Sequence, residues 1–408
     1  MRAVFIRAYL YILSTFIAID TNIFTKLRKK KEGERIAMFW ILNIIAAFVL
    51  SHAFTAFVTW NILSLSYHKQ LFDVPDDRKI HEGLVPRLGG VAFNPVVFFT
   101  LALMLAVNAY LGNSELQDAV GLEVQQVACT YCAMTLAYLT GIIDDLMGVR
   151  YVSKFIIQFV IGLLLIGGGV MITDFHGLLG IGVLPLWASV PLSIFATIFI
   201  INAINLIDGI DGLALGLCIG TFAVYGAVFY LAGMMLHALL AAASLGSLVS
   251  LFLYNVFGNV KRKRKIFMGD TGCMVISVMI CYLSCKVANI EDLRGNEPNL
   301  FVLSFSPLLI PCLDVVRVFL YRVRHGKNPF LPDRHHIHHK LLDLGMKPWQ
   351  AMVALILSTG ALTAINVELS RSIDVPLLLA LDIALWTAIN MVLRKRIEHL
   401  KNKAHTRI

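Results

Sequence analysis

Eleven stretches of about twenty residues, each almost free of charge, recur along this chain with no long polar segment between them. An α-helix needs about 20 apolar residues to cross a bilayer, and a backbone in hydrocarbon must satisfy every N–H and C=O internally. The chain is therefore expected to be all-α, a polytopic bundle of about eleven transmembrane helices. The spans fall at 38–63, 91–111, 123–142, 154–172, 184–204, 212–232, 237–257, 271–290, 302–321, 350–369 and 375–393. Of 408 residues, 58% are hydrophobic and 15% charged, which excludes a soluble globular domain. The multi-span body covers 38–393, and 394–408 reads as a basic tail.

Lys and Arg collect at the cytoplasmic ends of membrane spans. One set of ends here carries Lys69, Arg78, Lys79, Arg87, Arg150, Lys154, the run Lys261 to Lys265, Arg317, Arg322, Arg324, Lys327, Arg334, Lys340, Lys347 and the tail. The opposite set carries Lys286, Arg294 and Arg371. The richer face is expected to be cytoplasmic. Residues 1–37 break this alternation, because the basic run Lys26 to Arg35 precedes the first span on the outer side. Three readings stand: an interfacial helix over Arg2 to Ile19, a twelfth span, or a leader translated from upstream of Met38, the last being preferred. All seven cysteines lie in or at the ends of spans. Cys129 and Cys132 have CxxC spacing, but buried free thiols are ordinary in such segments and no disulfide or redox centre is expected.

Four signatures sit at span ends on the basic face: GIIDD at 141–145, NAINLIDGIDG at 202–212, FMGDTG at 267–272 and DRHHIHH at 333–339. Ionisable groups are expensive at a membrane edge, so their recurrence on one face beside basic loops points to a site for an anionic substrate. Asp144 and Asp145 end an apolar stretch and need a cation, a lysine or water; an exposed pair at a helix end is the simpler alternative. Asn202, Asn205, Asp208 and Asp211 recur every three residues, crowding one face if the segment is helical. Amides and carboxylates together suit a nucleotide's polar edge or a hydrated magnesium ion. Asp270 lies at a helix start, where it either caps the helix beginning at Thr271 or holds a metal against a diphosphate. His336, His338 and His339, with Asp333 and Arg334, suit phosphate oxygens better than zinc, since no cysteine is near. The Lys261 to Lys265 run is expected to meet anionic headgroups or to set topology. No aromatic platform accompanies it, so nucleic acid is not an expected partner.

With these motifs in this order, the chain resembles the polyprenyl-phosphate N-acetylhexosamine-1-phosphate transferase superfamily, within it the bacterial undecaprenyl-phosphate N-acetylglucosamine-1-phosphate transferase branch. The resemblance runs from about Trp60 to Leu393. It implies a bundle of ten or eleven spans in the bacterial cytoplasmic membrane. There a UDP-activated amino sugar would be joined to undecaprenyl phosphate on the cytoplasmic side with release of UMP, as the first membrane step of a cell-envelope polysaccharide. By this resemblance Asp144 and Asp145 match the family's aspartate pair, and Lys154 the lysine that neutralises the lipid phosphate. Asn202, Asn205, Asp208 and Asp211 match the nucleotide and catalytic motif. Asp270 matches the ligand of Mg²⁺, for which Mn²⁺ is an alternative, and Phe267 the uracil-stacking position. Asn255 resembles the asparagine before that loop, and Asp333, Arg334, His336, His338 and His339 the motif that binds diphosphate and sugar. A homodimer is compatible with the resemblance.

Two positions depart from the family pattern. The segment between Asn255 and Phe267 is about five residues longer than usual, and Cys273 stands where serine or alanine is common, a change expected to be chemically silent. The histidine segment lacks the three-histidine form of the muramyl-pentapeptide branch, which favours an unsubstituted amino sugar. The alternatives are another UDP amino sugar, UDP-MurNAc-pentapeptide, or a membrane transporter. A transporter would set ionisable groups near the midplane in repeated halves.

Overall fold

The computed structural model describes residues 31–72, 84–290, 299–328 and 335–405. The chain divides into two compact units, Met1–Ala46 and Ala47–Ile408. Of the first, only the opening turns of α1 (Lys31–Lys69) are described. The helical stretch passes through Met38, while residues 1–30, on which most of the N-terminal expectation rests, lie outside the described residues.

Fourteen α-helices follow one another among the described residues, with no strand beyond a single bridge between Asp174 and Val183. After α1 come α2 (Phe93–Tyr110), the short α3 (Glu115–Leu122), α4 (Val124–Met147), α5 (Tyr151–Gly167), α6 (Leu186–Ile207) and α7 (Leu213–Leu231). They are followed by α8 (Met235–Phe257), α9 (Gly269–Ala288), α10 (Leu300–Phe305), α11 (Leu309–Arg324), α12 (Ile337–Asp343), α13 (Pro348–Leu369) and α14 (Val375–His405). Ten helical segments in the described residues are long and apolar enough to cross a membrane, with α10 and α11 counted as one. An eleventh apolar helix, α5, has 17 residues and ends five residues before the expected span does. The reason is local: Gly167, Gly168 and Gly169 follow one another, and Gly169 adopts φ 79°, a left-handed conformation that stops a helix.

Two boundaries differ from expectation at the charged ends. The segment expected as a basic tail instead extends α14 to His405, because Lys, Arg, Glu and Leu are good helix formers once the apolar span has nucleated the helix. The span around 302–321 is broken in two by a 3-10 turn at Ser306–Leu308, where Pro307 removes a helix hydrogen bond.

The centre of the second unit is α9, which packs against α4, α6, α7, α2 and α10. Residues 271–283 of α9 are buried without interruption. In the apolar windows of α8 and α9, 83% and 78% of residues are buried, against 28% in α13 and α14, so the first pair forms the core and the second faces the surroundings. Lipid is as apolar as leucine, so helix contact depends on close approach of backbones. A Cβ on Gly141 of α4 would strike the Thr271 backbone of α9, and one on Gly246 of α8 would strike Phe48 and Ser51 of α1. Thr55 then donates to Ser247 at 2.8 Å across the α1–α8 contact.

At the end of α4 away from its aspartates, Glu123 binds Lys286 at 3.0 Å and His237 at 3.2 Å. Arg371 pairs with Glu368 at 3.3 Å. Two of the three basic residues on the poorer face are thus neutralised by neighbours, which sharpens the charge difference between the two ends of the bundle.

Candidate active site

The first turn of α9 carries Asp270, and three other helices bring partners to it. Its Oδ1 accepts a hydrogen bond from Asn205 Nδ2 of α6 at 2.6 Å and lies 3.5 Å from Lys154 Nζ of α5. Lys154 is simultaneously ion-paired with Asp144 of α4. The side chain of Asp144 is only 4% exposed, whereas Lys154 and Asp270 are 28% and 23% exposed, so an incoming anion meets the lysine and Asp270 first. Asp144 also accepts from the Val149 N–H at 2.7 Å, which closes the end of α4.

Asp145 turns to a different task. Its Oδ1 accepts from the Asp270 N–H at 2.8 Å, and its Oδ2 from the Thr271 N–H at 2.9 Å and the Thr271 hydroxyl at 2.6 Å. A carboxylate there satisfies amides that the first helical turn cannot pair and complements the helix dipole. The cap of α9 therefore comes from α4, not from Asp270, and the Asp270 side chain is left to face Lys154 and Asn205. Gly269 makes this possible: it sits at φ 74°, and a Cβ there would collide with Arg87 O and approach both Asp145 oxygens.

The four residues expected on one helical face separate, because α6 ends at Ile207. Asn202 and Asn205 remain on the helix, with Asn202 Nδ2 donating to Gln158 Oε1 of α5 at 2.8 Å. Asp208 is exposed at the end of α6, with Cys273 and Asp270 beside its carboxyl. Crowding by protein atoms, and then the Asp270 charge, push its carboxyl above the ordinary aspartate range. Cys273, expected to be silent, is in contact with it, its Sγ 3.7 Å from Asp208 Oδ2. Asp211 turns away to pair with Lys265. The Lys261 to Lys265 run accordingly does not behave as one surface patch: Lys261 and Arg262 are exposed, while Lys265 bends inward and lies 5.8 Å over the Phe267 ring.

Asn255 reaches the loops despite the long segment that follows it. Its Oδ1 accepts from the Gly212 N–H at 2.6 Å and its Nδ2 donates to Ile266 O at 2.9 Å. The extra residues form a turn on the surface, so the asparagine clamps two motif loops through their backbones. Phe267 N–H donates to Pro86 O at 2.8 Å, which ties the same loop to the segment before α2.

The histidine segment arrives from α12. A Cβ on Gly209 would strike the His338 ring, so the two motifs touch where only glycine fits. His338 is 1% exposed and neither ring nitrogen has a hydrogen-bond partner among the described residues. Burial, then the neighbouring His339 and His336, push its pKa down to about 3. His336 Nδ1 lies 2.9 Å from Asp314 Oδ2 of α11, and its Nε2 has no partner among the described residues. Asp314 also accepts from Arg317 Nη2 at 2.7 Å and from the Ile337 N–H, and Arg317 donates to His335 O at 2.5 Å. His339 lines a cavity whose walls include none of Asp144, Asp145, Asp208, Asp211 and Asp270. Asp333 and Arg334 lie outside the described residues.

Sequence reasoning missed Asp314, Arg317 as its partner, Gln158 and the inward turn of Lys265. A signal existed for the first: Asp314 is a carboxylate inside an apolar span, and such a residue marks function by default.

Among the described residues no three His, Cys, Asp or Glu side chains converge as a ready-made metal cage. Magnesium seldom uses one; it keeps waters and takes one or two carboxylates together with substrate phosphates. The crowded, partly uncompensated carboxylates around Asp270 fit that requirement.

The glycosyl transferase family 4 profile matches residues 127–288. The undecaprenyl-phosphate alpha-N-acetylglucosaminyl 1-phosphate transferase of Escherichia coli K12 is 30% identical over 313 residues, covering 75% of this chain and 78% of that protein. Its counterpart in Yersinia pestis is 29% identical over 309 residues, with 75% and 79% covered. A probable undecaprenyl-phosphate N-acetylglucosaminyl 1-phosphate transferase of Bacillus subtilis is 27% identical over 329 residues, with 78% and 82% covered. With four motif-bearing helices converging on Asp270 and similarity extending well beyond the motifs, the chain belongs to glycosyl transferase family 4, the polyprenyl-phosphate N-acetylhexosamine-1-phosphate transferase superfamily.

Proposed function

We propose that this protein transfers N-acetylglucosamine 1-phosphate from its UDP-activated form to undecaprenyl phosphate at the cytoplasmic face of a bacterial inner membrane. The observation that carries the reading is Lys154 held between Asp144 and Asp270 at the basic end of the bundle. A phosphate monoester oxygen of the lipid attacks the sugar-bearing phosphorus of the donor. The bond from that phosphorus to the bridging oxygen breaks, and UMP leaves with the electron pair. The nucleophile is already ionised near neutral pH, its second pKa being about 6, so charge and alignment rather than covalent catalysis limit the rate.

Each side chain then has a task derived from its surroundings. Lys154 offsets the acceptor phosphate, and Asp144 holds the lysine in place and can take a residual proton. Asn205 orients the Asp270 carboxylate, and Asp145 anchors the helix start that bears it. Asp270, with Asp208 beside it, would hold Mg²⁺, which would supply charge neutralisation to the donor diphosphate. His338, neutral with both ring nitrogens unpartnered among the described residues, offers one N–H to a phosphate oxygen of the donor, and His336 Nε2, its Nδ1–H turned to Asp314, accepts from a sugar hydroxyl.

The test is UMP release by the purified protein with undecaprenyl phosphate and a panel of UDP sugars, with Mg²⁺ or EDTA, beside Asp270→Asn. Metal-dependent release with UDP-N-acetylglucosamine, lost in the variant, supports the reading. Release only with another donor moves the sugar assignment, and no release with any donor overturns it.

A further inference from the structure

A second feature lies apart from the aspartates around Asp270. Between α11, α12 and α14 is a cavity of about 1250 Å³, larger than the 300–1,000 Å³ typical of small-molecule pockets. Its walls change character along their length. Leu313, Val316 and Leu320 of α11 face Ile383 and Trp386 of α14 at one end. Towards the other end the lining carries Arg324, Lys340, Arg394 and Lys401 against two carboxylates, Asp343 and Glu398. Between Ile383 and Asn390 α14 rises about 10 Å, about a third of a hydrocarbon core of about 30 Å.

Two polar groups mark levels within this groove. Lys340 Nζ donates to Asn390 Oδ1 at 2.8 Å, which fixes the lysine where the apolar wall gives way to the basic one. Burial and the Arg317 charge push Lys340 down to about 8, so an anion beside it relieves an existing strain in charge. One turn deeper, Trp386 is 8% exposed, and its indole N–H has no hydrogen-bond partner among the described residues. A buried donor left unpaired costs about 1–3 kcal/mol, so an occupant that accepts from it is favoured.

We propose that this groove binds an anionic diacyl glycerophospholipid, with its phosphate at Lys340 and the basic end of α14, an ester carbonyl at Trp386, and an acyl chain along α11. The level of Trp386 selects among lipids. A glycerophospholipid carries ester carbonyls a few bonds below its phosphate, whereas a polyprenyl phosphate has only hydrocarbon there and would leave the indole unpaired. The bound lipid packs against α12, which on another side sets His338 against Gly209, so occupancy steadies the histidine segment without entering the reaction. Lipid binding here is read independently of the transferase activity.

Native mass spectrometry of the full chain in detergent, titrated with phosphatidylglycerol, phosphatidylcholine or undecaprenyl phosphate, tests the proposal. Phosphatidylglycerol should bind about tenfold more tightly than phosphatidylcholine, the size expected from one or two basic groups at a membrane surface. Replacing both Arg394→Gln and Lys401→Gln, exposed positions whose loss leaves the fold intact by thermal unfolding, should remove that preference. Trp386→Phe should weaken both diacyl lipids and leave undecaprenyl phosphate binding unchanged. Equal binding of the two diacyl lipids, or competitive displacement of phosphatidylglycerol by undecaprenyl phosphate, would overturn it.

Discussion

The Asp145 carboxylate accepts a hydrogen bond from the backbone N–H of Asp270 at 2.8 Å, so the residue that caps α9 and the residue that faces the cleft meet at the same helix start. Its neighbour Asp144 pairs with Lys154 instead. Adjacent carboxylates in α4 therefore predict different phenotypes. Asp145→Ala should lower thermal stability by about 1–2 kcal/mol, the usual loss for a helix cap, with activity falling only as α9 loosens. Asp144→Asn should keep the unfolding midpoint close to wild type and reduce turnover sharply. Thermal unfolding and UMP release measured on both variants decide the matter, and an unchanged midpoint for Asp145→Ala would remove the capping role.

Asp270→Asn retains the Asp145 cap, since that bond is to backbone, but loses the charge at the centre of the cleft. Loss of one preorganised electrostatic contact typically costs about 10²–10³ in turnover, and a drop of that order is expected here. Mg²⁺ titration of the residual activity should show a weakened requirement. Wild-type turnover in the variant with an unaltered metal dependence would place the metal elsewhere.

Asp314→Asn keeps an acceptor for Arg317 and for the Ile337 N–H but no longer holds a proton on His336 Nδ1 as a carboxylate does. Groups that orient a functional imidazole usually matter by about 10–100-fold, and that loss is expected in turnover, with a displaced pH profile and unchanged helix content. A uniform loss of folded protein without a change in the pH profile would reduce Asp314 to a packing role.

His338 supplies a pH test of stability. Its pKa is pushed down to about 3 in the folded chain, against an ordinary value of about 6.5. Between these two values the unfolded chain takes up a proton that the folded chain does not. Stability is therefore unaffected above about pH 6.5 and falls as pH drops below it, by up to about 1.4 kcal/mol per unit from this group. His338→Gln should lose less stability than wild type between pH 7 and 5 in parallel thermal unfolding. Identical slopes would mean that the imidazole charges within the fold.

The site was legible where chemistry is written locally. Asp144, Asn205, Asp270 and His338 announce themselves because ionisable and amide groups at span ends are rare, and the structure brings all four towards one cleft. Roles were less legible than identities. Asp145 looks identical to Asp144 in sequence, and only the approach of α9 turns one into a cap and the other into a lysine partner. Asp314 was passed over because its partners, Arg317 and His336, are found by packing α12 on α11, and nothing in the intervening residues records that contact. Lys265 sat inside a run that reads as a surface patch until the turn at Asn259–Lys263 directs it to Asp211.

The all-α class, the succession of apolar helices and the basic polarity of one face follow from the sequence alone, because the bilayer penalises each unpaired backbone group and each misplaced charge residue by residue. The break at Pro307 and the early end of α5 at its glycines are equally local. Which side chains meet is a property of helix crossings set by close contacts such as Gly141 on Thr271 and Gly209 on His338, between residues far apart in the chain. The division of labour between Asp144 and Asp145, the anchoring of His336 by Asp314 and the amphipathic groove beside α14 exist only once those crossings are made.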